Sequence, residues 1–256
     1  MRKNVLRVSA VGAGILVVLV AVASAGGIVL RLGPLVVKGD GGFTPTTLPK
    51  HKFAPITLHG HGSISTDDGS IPPALDELTI WFDKHGAVET RGLEVCTKGK
   101  LLATTTARAR KSCPNAIVGE GFGTATVYFP ESKPIPASSP IILFNGPKMH
   151  GNPTVLAHAY LTVPAPTTYI VPVEIQKVHD GRYGFKTVAK IPRIAGGSGV
   201  PKSGRLNIGR KWTFKGKRLS YANASCPDGH LQAKILVHFV DGTSMHGEIL
   251  KTCKGK

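Results

Sequence analysis

The sequence predicts an all-β fold, namely a single antiparallel β-sandwich or barrel-like domain of about ten strands. From Ile56 onward, short runs rich in β-branched and aromatic residues follow one another, and Gly, Pro, Asp and Asn separate them at short intervals. The only helical signal covers residues 104–111, where Thr side chains could cap one or two turns. With 256 residues, of which 41% are hydrophobic, the chain can bury a core, which excludes wholesale disorder.

The N-terminus has the pattern of an export segment. Cations at positions 2, 3 and 7 precede an uncharged apolar run over residues 8–30, and Ala23-Ser24-Ala25 forms a small-residue cleavage motif before Gly26. Cleavage there would make residues 1–25 a signal peptide. Without cleavage, the run is long enough to span a bilayer as an anchor helix, and membrane contact would be made through residues 8–30. Both interpretations place the rest of the chain outside the cell or at its surface.

Residues 26–52 are expected to be a linker, because they are rich in Gly, Pro and Thr, a composition typical of flexible spacers. The β-rich extracellular domain is then expected over residues 53–256, since no shift of composition divides this part of the chain.

The predicted strands follow in order along this domain. Enrichment in β-branched and aromatic residues marks them, and several also alternate apolar with polar residues. The strands are expected at residues 78–82, 87–90, 122–129, 141–144, 155–163, 169–178, 183–191, 205–214, 219–224, 231–240 and 245–252. A turn is expected at Lys215-Gly216-Lys217.

The four cysteines are expected to form disulfides, because an exported chain meets oxidising conditions. Three pairings are possible, and the local ones join Cys96 with Cys113 and Cys226 with Cys253. A zinc site is the alternative, but the chain has no Cys-x-x-Cys pair and its histidines lie elsewhere.

Two histidine pairs are candidate metal ligands. His59 and His61 lie two residues apart, so on a strand both would project to one face. His238 and His246 would face each other if the last hairpin pairs Phe239 with Met245. Copper and zinc use such pairs, whereas the alternative is a solvated sheet face with ordinary surface histidines.

The strongest functional signal after export is positive charge. The chain carries 32 Lys and Arg against 15 Asp and Glu, a formal net charge of +17. A stretch without acids, in which Trp212 and Phe214 are interleaved, supplies the candidate binding residues Arg205, Arg210, Lys211, Lys215, Lys217 and Arg218. An anionic cell-wall polymer or a membrane surface would be the partner. No nucleic-acid motif accompanies the charge, so specific nucleic-acid binding is not expected, and the alternative is a soluble, loosely cationic protein.

Enzymatic motifs are weak. The Gly196-Gly197-Ser198-Gly199 run does not match a nucleophile elbow, and Gly119 to Gly123 do not match a dinucleotide fingerprint. Asp67-Asp68 and Asp76-Glu77 could supply paired carboxylates for glycoside cleavage, although turn and strand-start roles explain them equally well. No catalytic residue and no cofactor are therefore predicted.

Several short motifs cover most of residues 78–253. They are Asp83-Lys84-x-Gly86, Gly92-Leu93-x-x-Cys96, Ser112-Cys113-x-x-Ala116-x-Val118-Gly119-x-Gly121, Phe144-Asn145-Gly146, His158-Ala159-Tyr160, Tyr183-Gly184 and Ser220-Tyr221-x-x-x-x-Cys226-Pro227. In these motifs the chain resembles a group of uncharacterised exported β-rich proteins of high-GC Gram-positive (actinobacterial) bacteria. The resemblance implies a single extracellular domain and carries no activity, cofactor or catalytic residue.

Together these features predict an exported cell-envelope or secreted protein with a non-enzymatic binding or structural role, directed to anionic envelope polymers or lipids. One alternative is a secreted glycan-directed hydrolase, which would need convergent carboxylates in a deep cleft. The other is an extracellular metal-binding protein that uses the histidine pairs.

Overall fold

The computed structural model describes residues 26–256, so the expected signal or anchor over residues 1–25 lies outside the described part. Within that part the chain is mostly β-structure, which confirms the all-β prediction. No helix of residues 26–256 has both the length and the apolar character needed to cross a membrane.

Besides two 3-10 helical turns at Pro114–Ala116 and Ala195–Gly197, the described chain contains nineteen strands and two short α-helices. They are β1 (Ile28–Leu32), β2 (Leu35–Thr44), β3 (Thr47–Leu48), β4 (Ala54–Pro55), β5 (Thr57–Thr66), β6 (Leu75–Asp83), β7 (Gly86–Val88), α1 (Lys98–Leu101), α2 (Thr106–Ser112), β8 (Ile117–Val127), β9 (Ile135–Met149), β10 (Asn152–Leu161), β11 (Thr167–Asp180), β12 (Tyr183–Lys190), β13 (Gly199–Ile208), β14 (Lys211–Phe214), β15 (Lys217–Ser220), β16 (Ala222–Ala224), β17 (His230–Phe239), β18 (Ser244–Thr252) and β19 (Lys254–Gly255).

Twelve of these strands form one antiparallel sheet, in the spatial order β1-β2-β5-β13-β8-β9-β10-β11-β12-β6-β17-β18. The two edge strands approach each other, because Ile28 and Leu30 of β1 pack in one buried cluster with Val237, Phe239 and Met245 of β17 and β18. A side chain at Gly247 of β18 would meet the Ile28 and Leu30 side chains about 3.1 Å away. The sheet is therefore nearly closed on itself, and it encloses an apolar interior.

The connections between the strands lie at two ends of this sheet. At the end called the capped end, they are residues 45–56, 84–116, 150–151, 181–182 and 209–229, followed by the C-terminal residues 253–256. At the other, the loop end, they are residues 33–34, 67–74, 128–134, 162–166, 191–198 and 240–243.

The capped end carries the smaller elements. β14 pairs with β15, β3 with β19, and β16 lies between β4 and β7. The two helices belong to the 84–116 connection and pack against the outer face of β9 and β10, where Leu101 and Ala109 contact Ile142, Phe144 and Leu156. The predicted helical turn is confirmed, since Thr105 caps α2 by accepting a hydrogen bond from the Arg108 N–H.

The expectation that residues 26–52 form a linker is wrong. These residues contain β1, β2 and β3, which bury Ile28, Val36 and Phe43. The glycines that suggested a spacer lie in strand register with other glycines, since Gly39 pairs with Gly62 and Gly62 with Gly204. Residues without a Cβ permit the close strand approach and sharp bending that a nearly closed sheet requires.

The expectation that membrane contact extends through residues 8–30 is wrong at the C-terminal end of this run, for the same reason. Ile28 and Leu30 lie in β1 and are 4% and 5% exposed, so they belong to the core of the sheet. A membrane segment in this chain would have to end before Ile28.

Both local disulfides are confirmed. The Sγ atoms of Cys96 and Cys113 are 2.04 Å apart, and those of Cys226 and Cys253 are 1.98 Å apart. The first bond holds the helical connection together, while the second joins the approach to β17 with the end of β18. Both therefore constrain the capped end, and both are consistent with an oxidising environment.

Candidate anion-binding surface

The β14–β15 hairpin carries most of the predicted basic residues. Its turn is Lys215-Gly216, whose φ angles of 49° and 73° are both positive. A two-residue turn of this kind matches the twist of a hairpin, and glycine adopts it at no steric cost. The predicted turn is confirmed, and it projects Lys215 and Lys217 at the tip.

Two aromatic side chains attach the hairpin to the body of the protein. The Trp212 indole N–H donates to the Arg91 carbonyl oxygen at 3.0 Å, and the Trp212 ring packs against the interior cluster that contains Leu93 and Tyr221. The Phe214 ring lies over Gly92, where a Cβ atom would be only 2.1 Å from the ring. The interleaved aromatic residues are therefore anchors, which hold the hairpin in one position.

Four of the six predicted basic residues lie together on this hairpin. Lys211, Lys215, Lys217 and Arg218 are exposed, and within residues 26–256 none of them forms an ion pair. The Lys215 ammonium lies 5.6 Å from the centroid of the Phe214 ring. Four unpaired cations on one rigid hairpin produce a local positive potential that an anionic polymer can neutralise.

The other two predicted basic residues lie elsewhere. Arg210 precedes β14, and its guanidinium donates to the Pro114 carbonyl oxygen at 3.4 Å. Arg205 lies on β13, where its guanidinium is 5.3 Å from the Phe122 ring centroid. Its chain neighbour Leu206 packs into the interior, so Arg205 projects from the outer face of the sheet. The six residues therefore do not form one face.

An open groove of about 480 Å³ runs beside the hairpin. It is lined by residues of two connections, namely Gly92, Leu93, Glu94 and Asn115 from one and Arg210, Trp212 and Thr213 from the other. The groove contains one carboxylate and one guanidinium, so it does not hold the pair of carboxylates that glycoside cleavage needs.

Charge is distributed unequally between the two ends of the sheet. The connections of the capped end, apart from the helical residues 97–113, carry the twelve cations Lys50, Lys52, Lys84, Arg91, Arg182, Arg210, Lys211, Lys215, Lys217, Arg218, Lys254 and Lys256 against the three acids Glu89, Glu94 and Asp228. The connections of the loop end carry the two cations Lys133 and Arg193 against the four acids Asp67, Asp68, Glu131 and Asp241.

A second basic depression lies at the capped end, which the sequence did not indicate. It has a volume of about 440 Å³ and is lined by Lys84, Lys177, His179 and the aromatic residues Tyr183 and Phe185. The signal that could have found it is the two-residue spacing of Lys177 and His179 on a strand that ends in a turn.

Asp83 and Asp228, at the same end of the sheet, are held by an arginine. Arg182 donates to the Asp83 carboxylate at 2.6 Å and to Asp228, and Asp83 also accepts from the Gln232 backbone N–H at 2.9 Å. The hydrogen bond from Arg182 lowers the pKa of Asp228 to about 2. Asp228 therefore stays ionised at neutral pH, and both carboxylates are paired with Arg182 in a structural role.

The first histidine pair is exposed on the outer face of β5. His61 lies between Asp40 of β2 and Arg205 of β13 in the strand register, and His59 lies between Gly42 and Asn207. The Arg205 guanidinium beside His61 opposes the approach of a metal cation.

The expected register of the second histidine pair is wrong. Phe239 does not face Met245, since Val237 pairs with Met245 and His238 pairs with Ser244. The His238 Nδ1 lies 2.7 Å from the Ser244 hydroxyl, while His246 pairs with Leu236. The Phe239 N–H donates to the Thr243 carbonyl oxygen at 2.9 Å, so the loop is Val240-Asp241-Gly242. A pairing of Phe239 with Met245 needs a loop one residue further along the chain, and this difference moves the register by two residues. Across residues 26–256, no three His, Cys, Asp or Glu side chains converge as metal ligands.

The candidate hydrolase carboxylates have local partners. Asp67 forms an ion pair with Arg31, and Asp68 accepts from the Ser70 side chain and N–H. The Ser70 side chain is the main cause that holds the pKa of Asp68 below its ordinary value. Glu77 accepts from the Thr79 hydroxyl at 2.9 Å. A general acid needs a raised pKa, which is the opposite of the direction found for Asp68.

Comparison with protein-family models, with curated proteins and with solved structures gave no match to this chain. Its function must therefore be inferred from its own residues.

Proposed function

We propose that this protein is an exported, non-enzymatic binding protein of the cell envelope, and that the β14–β15 hairpin is its main contact with an anionic polymer. The observation that carries this proposal is the set of four exposed, unpaired cations on a hairpin fixed by Trp212 and Phe214. Because the hairpin backbone is already fixed, binding has to order only the Lys and Arg side chains, so less of the electrostatic energy is lost to ordering.

The surrounding charge supports the same surface. Because the capped end carries a large excess of cations and the loop end does not, a polyanion is attracted to one end of the molecule. The depressions at this end are open and shallow, which suits an extended polymer better than a small substrate enclosed for reaction.

Export is supported by the two disulfides and by the position of the cleavage motif. The bond between Ala25 and Gly26 lies shortly before β1, so cleavage there would leave every strand of the sheet intact. The resemblance to exported proteins of high-GC Gram-positive bacteria agrees with an envelope location.

The test is equilibrium binding of the purified protein to a glycerol phosphate polymer, to phosphatidylglycerol vesicles and to duplex DNA. The variant Lys211→Glu, Lys215→Glu, Lys217→Glu reverses three hairpin cations. We expect it to bind the polymer about 100-fold more weakly, since each lost surface contact is worth about 1 kcal/mol.

A matched control reverses three exposed cations near the loop end, Lys133→Glu, Lys190→Glu and Arg193→Glu, with the same change in net charge. This control should keep the affinity of the wild-type protein within about threefold. Equal losses of affinity in both variants would show that only the net charge matters and would contradict a role for the hairpin. Tighter binding to DNA than to the envelope polymer would contradict an envelope role.

A further inference from the structure

The second basic depression is built from two parts of the chain that the fold brings together. Lys177 lies directly across from Phe185 in the β11–β12 ribbon, and the Phe185 ring packs against the interior cluster. Lys177 therefore faces the inner side of the ribbon where it reaches the capped end. His179 follows two residues later and lines the same depression.

Lys84 enters from the opposite side, just after β6. Its backbone N–H donates to the Arg182 carbonyl oxygen at 3.0 Å, and its ammonium donates to the Gly181 carbonyl oxygen at 3.3 Å. Gly184 makes this approach possible, because a Cβ atom there would lie 2.7 Å from the Lys84 Cα. The position of Lys84 over the ribbon is thus fixed by the backbone.

Carboxylates are directed away from this depression. Asp180 lies at the turn of the ribbon, but its carboxylate is 3.4 Å from the ammonium of Lys234. Lys234 belongs to the outer face, where it pairs in register with Trp81. Asp83 is buried and bound by Arg182. Within residues 26–256, Lys84 and Lys177 form no ion pair, so their charges remain available to a ligand.

From this arrangement we propose that Lys84, Lys177 and His179 form a binding site for a single phosphate group, separate from the hairpin. Lys177 and His179 reach the depression from β11 and Lys84 reaches it from the opposite side, so nitrogen donors face an anion from two sides. This suits a tetrahedral anion with several acceptor oxygens better than a planar carboxylate. The half-buried Phe185 ring provides apolar contact for a carbon skeleton that carries the phosphate. Tyr183 is buried beside it, and its hydroxyl donates to the Glu248 carboxylate at 2.6 Å, which keeps that acid engaged. The site therefore fits a phosphorylated polyol or sugar, whether free, in a polymer or in a lipid headgroup.

The test is titration of the ¹⁵N-labelled protein with inorganic phosphate and glycerol 1-phosphate, followed by amide shifts, with acetate as the carboxylate comparison. We expect saturable shifts at Gly181 and Gly184 with both phosphates and weaker ones with acetate. The double variant Lys84→Gln, Lys177→Gln should weaken phosphate binding about tenfold or more, because two charged contacts are lost.

The matched control is Lys186→Gln on the same ribbon. Lys186 lies next to Phe185 but on the outer face, where its ammonium is 5.2 Å from the centroid of the Trp81 ring. It should bind phosphate as the wild-type protein does. The absence of saturable shifts, or an equal loss in this control, would overturn the proposal.

The sources of phosphate are separated by further titrations with a glycerol phosphate oligomer and with phosphatidylglycerol vesicles. Shifts at Gly181 and Gly184 with either one identify the natural form, and shifts with the monomers alone assign the site to a free phosphate ester. The hairpin variant should keep these shifts. If it keeps them but binds polymer as the wild-type protein does, the phosphate site stands and the hairpin function fails.

Discussion

The two ends of the nearly closed sheet contrast in construction and in charge. At the capped end, long connections form small sheets and a hairpin, and both disulfides hold them. At the loop end, short connections contain prolines such as Pro34, Pro73 and Pro164 and few cations. The same sheet supports both, so the difference comes from the connections, which are the usual place for binding residues in β-rich proteins.

Replacing one glycine at each end by alanine should give the largest difference between the two ends. Gly92 has a φ of +70° and lies under Phe214, whereas Gly242 has a φ of +88° and open space where its side chain would be. We expect Gly92→Ala to cost about 2 to 3 kcal/mol, because it adds a steric clash to the strained backbone. Gly242→Ala should cost about 1 kcal/mol, for the backbone alone.

Urea unfolding measures both losses of folding stability, and polymer binding measures whether the hairpin has moved. Because the Phe214 ring must move in Gly92→Ala, the hairpin should shift and the affinity should fall, while Gly242→Ala should bind normally. Normal affinity in Gly92→Ala would show that the anchoring of the hairpin is unimportant for binding.

The helical connection of the capped end packs against a buried histidine. His158 is fully buried, and its Nε2 lies 3.2 Å from both the hydroxyl and the carbonyl oxygen of Thr104. Burial lowers the pKa of His158 below its ordinary value of 6.5. The unfolded chain therefore takes up a proton first as the pH falls through 6.5, and folding stability decreases below that pH, by at most about 1.4 kcal/mol per pH unit.

Urea midpoints measured between pH 8 and pH 5 check this expectation. In His158→Gln the part of the pH dependence that belongs to this residue should disappear, although the variant is less stable at every pH. The half-buried His238 near the loop end supplies the control, since His238→Gln leaves His158 in place and should keep the part of the pH dependence that belongs to it. A dependence that survives in His158→Gln would assign it to another group.

The smallest expected effect comes from removing one tyrosine hydroxyl at each end, which should change the folding stability in opposite directions. The Tyr221 hydroxyl is buried near the capped end without a hydrogen-bond partner in the described chain, whereas the Tyr169 hydroxyl accepts from the Ala195 N–H at 3.1 Å. Tyr221→Phe should stabilise the protein by about 1 kcal/mol, and Tyr169→Phe should destabilise it by a similar amount. Thermal unfolding compares the two, and destabilisation by both would indicate that Tyr221 has a bound water.

Much of the strand pattern could be predicted from the sequence, because alternation and β-branched residues are local signals. The run over residues 231–240 corresponds to β17, and that over 245–252 to β18. The run over residues 205–214 is divided, since the chain leaves the sheet at Gly209, where a Cβ atom would lie 2.6 Å from the Thr57 hydroxyl. Such a contact between distant segments leaves no local trace in the sequence.

The candidate site could be predicted only in part. The hairpin cations follow one another along the chain, so the sequence shows their charge and spacing directly. The phosphate depression depends on Lys84 approaching Gly184, which are 100 positions apart, and this contact follows from the order of the strands. Pro172 shows the same limit. A proline within a strand favours an edge strand, whereas β11 is an inner strand of the sheet. Pro172 pairs with β10 but lies beyond the part of β11 that pairs with β12.

If fixed hairpin cations bind an anionic polymer, that binding must weaken with salt, and the hairpin cations must account for part of the dependence. Affinity for the glycerol phosphate polymer should fall linearly with salt on logarithmic axes. The slope should be smaller by about 2 in the variant with Lys211, Lys215 and Lys217 changed to Glu, since each cation that contacts the polymer releases counterions. An unchanged slope in this variant would contradict the account, because the hairpin would then make no ionic contact with the polymer.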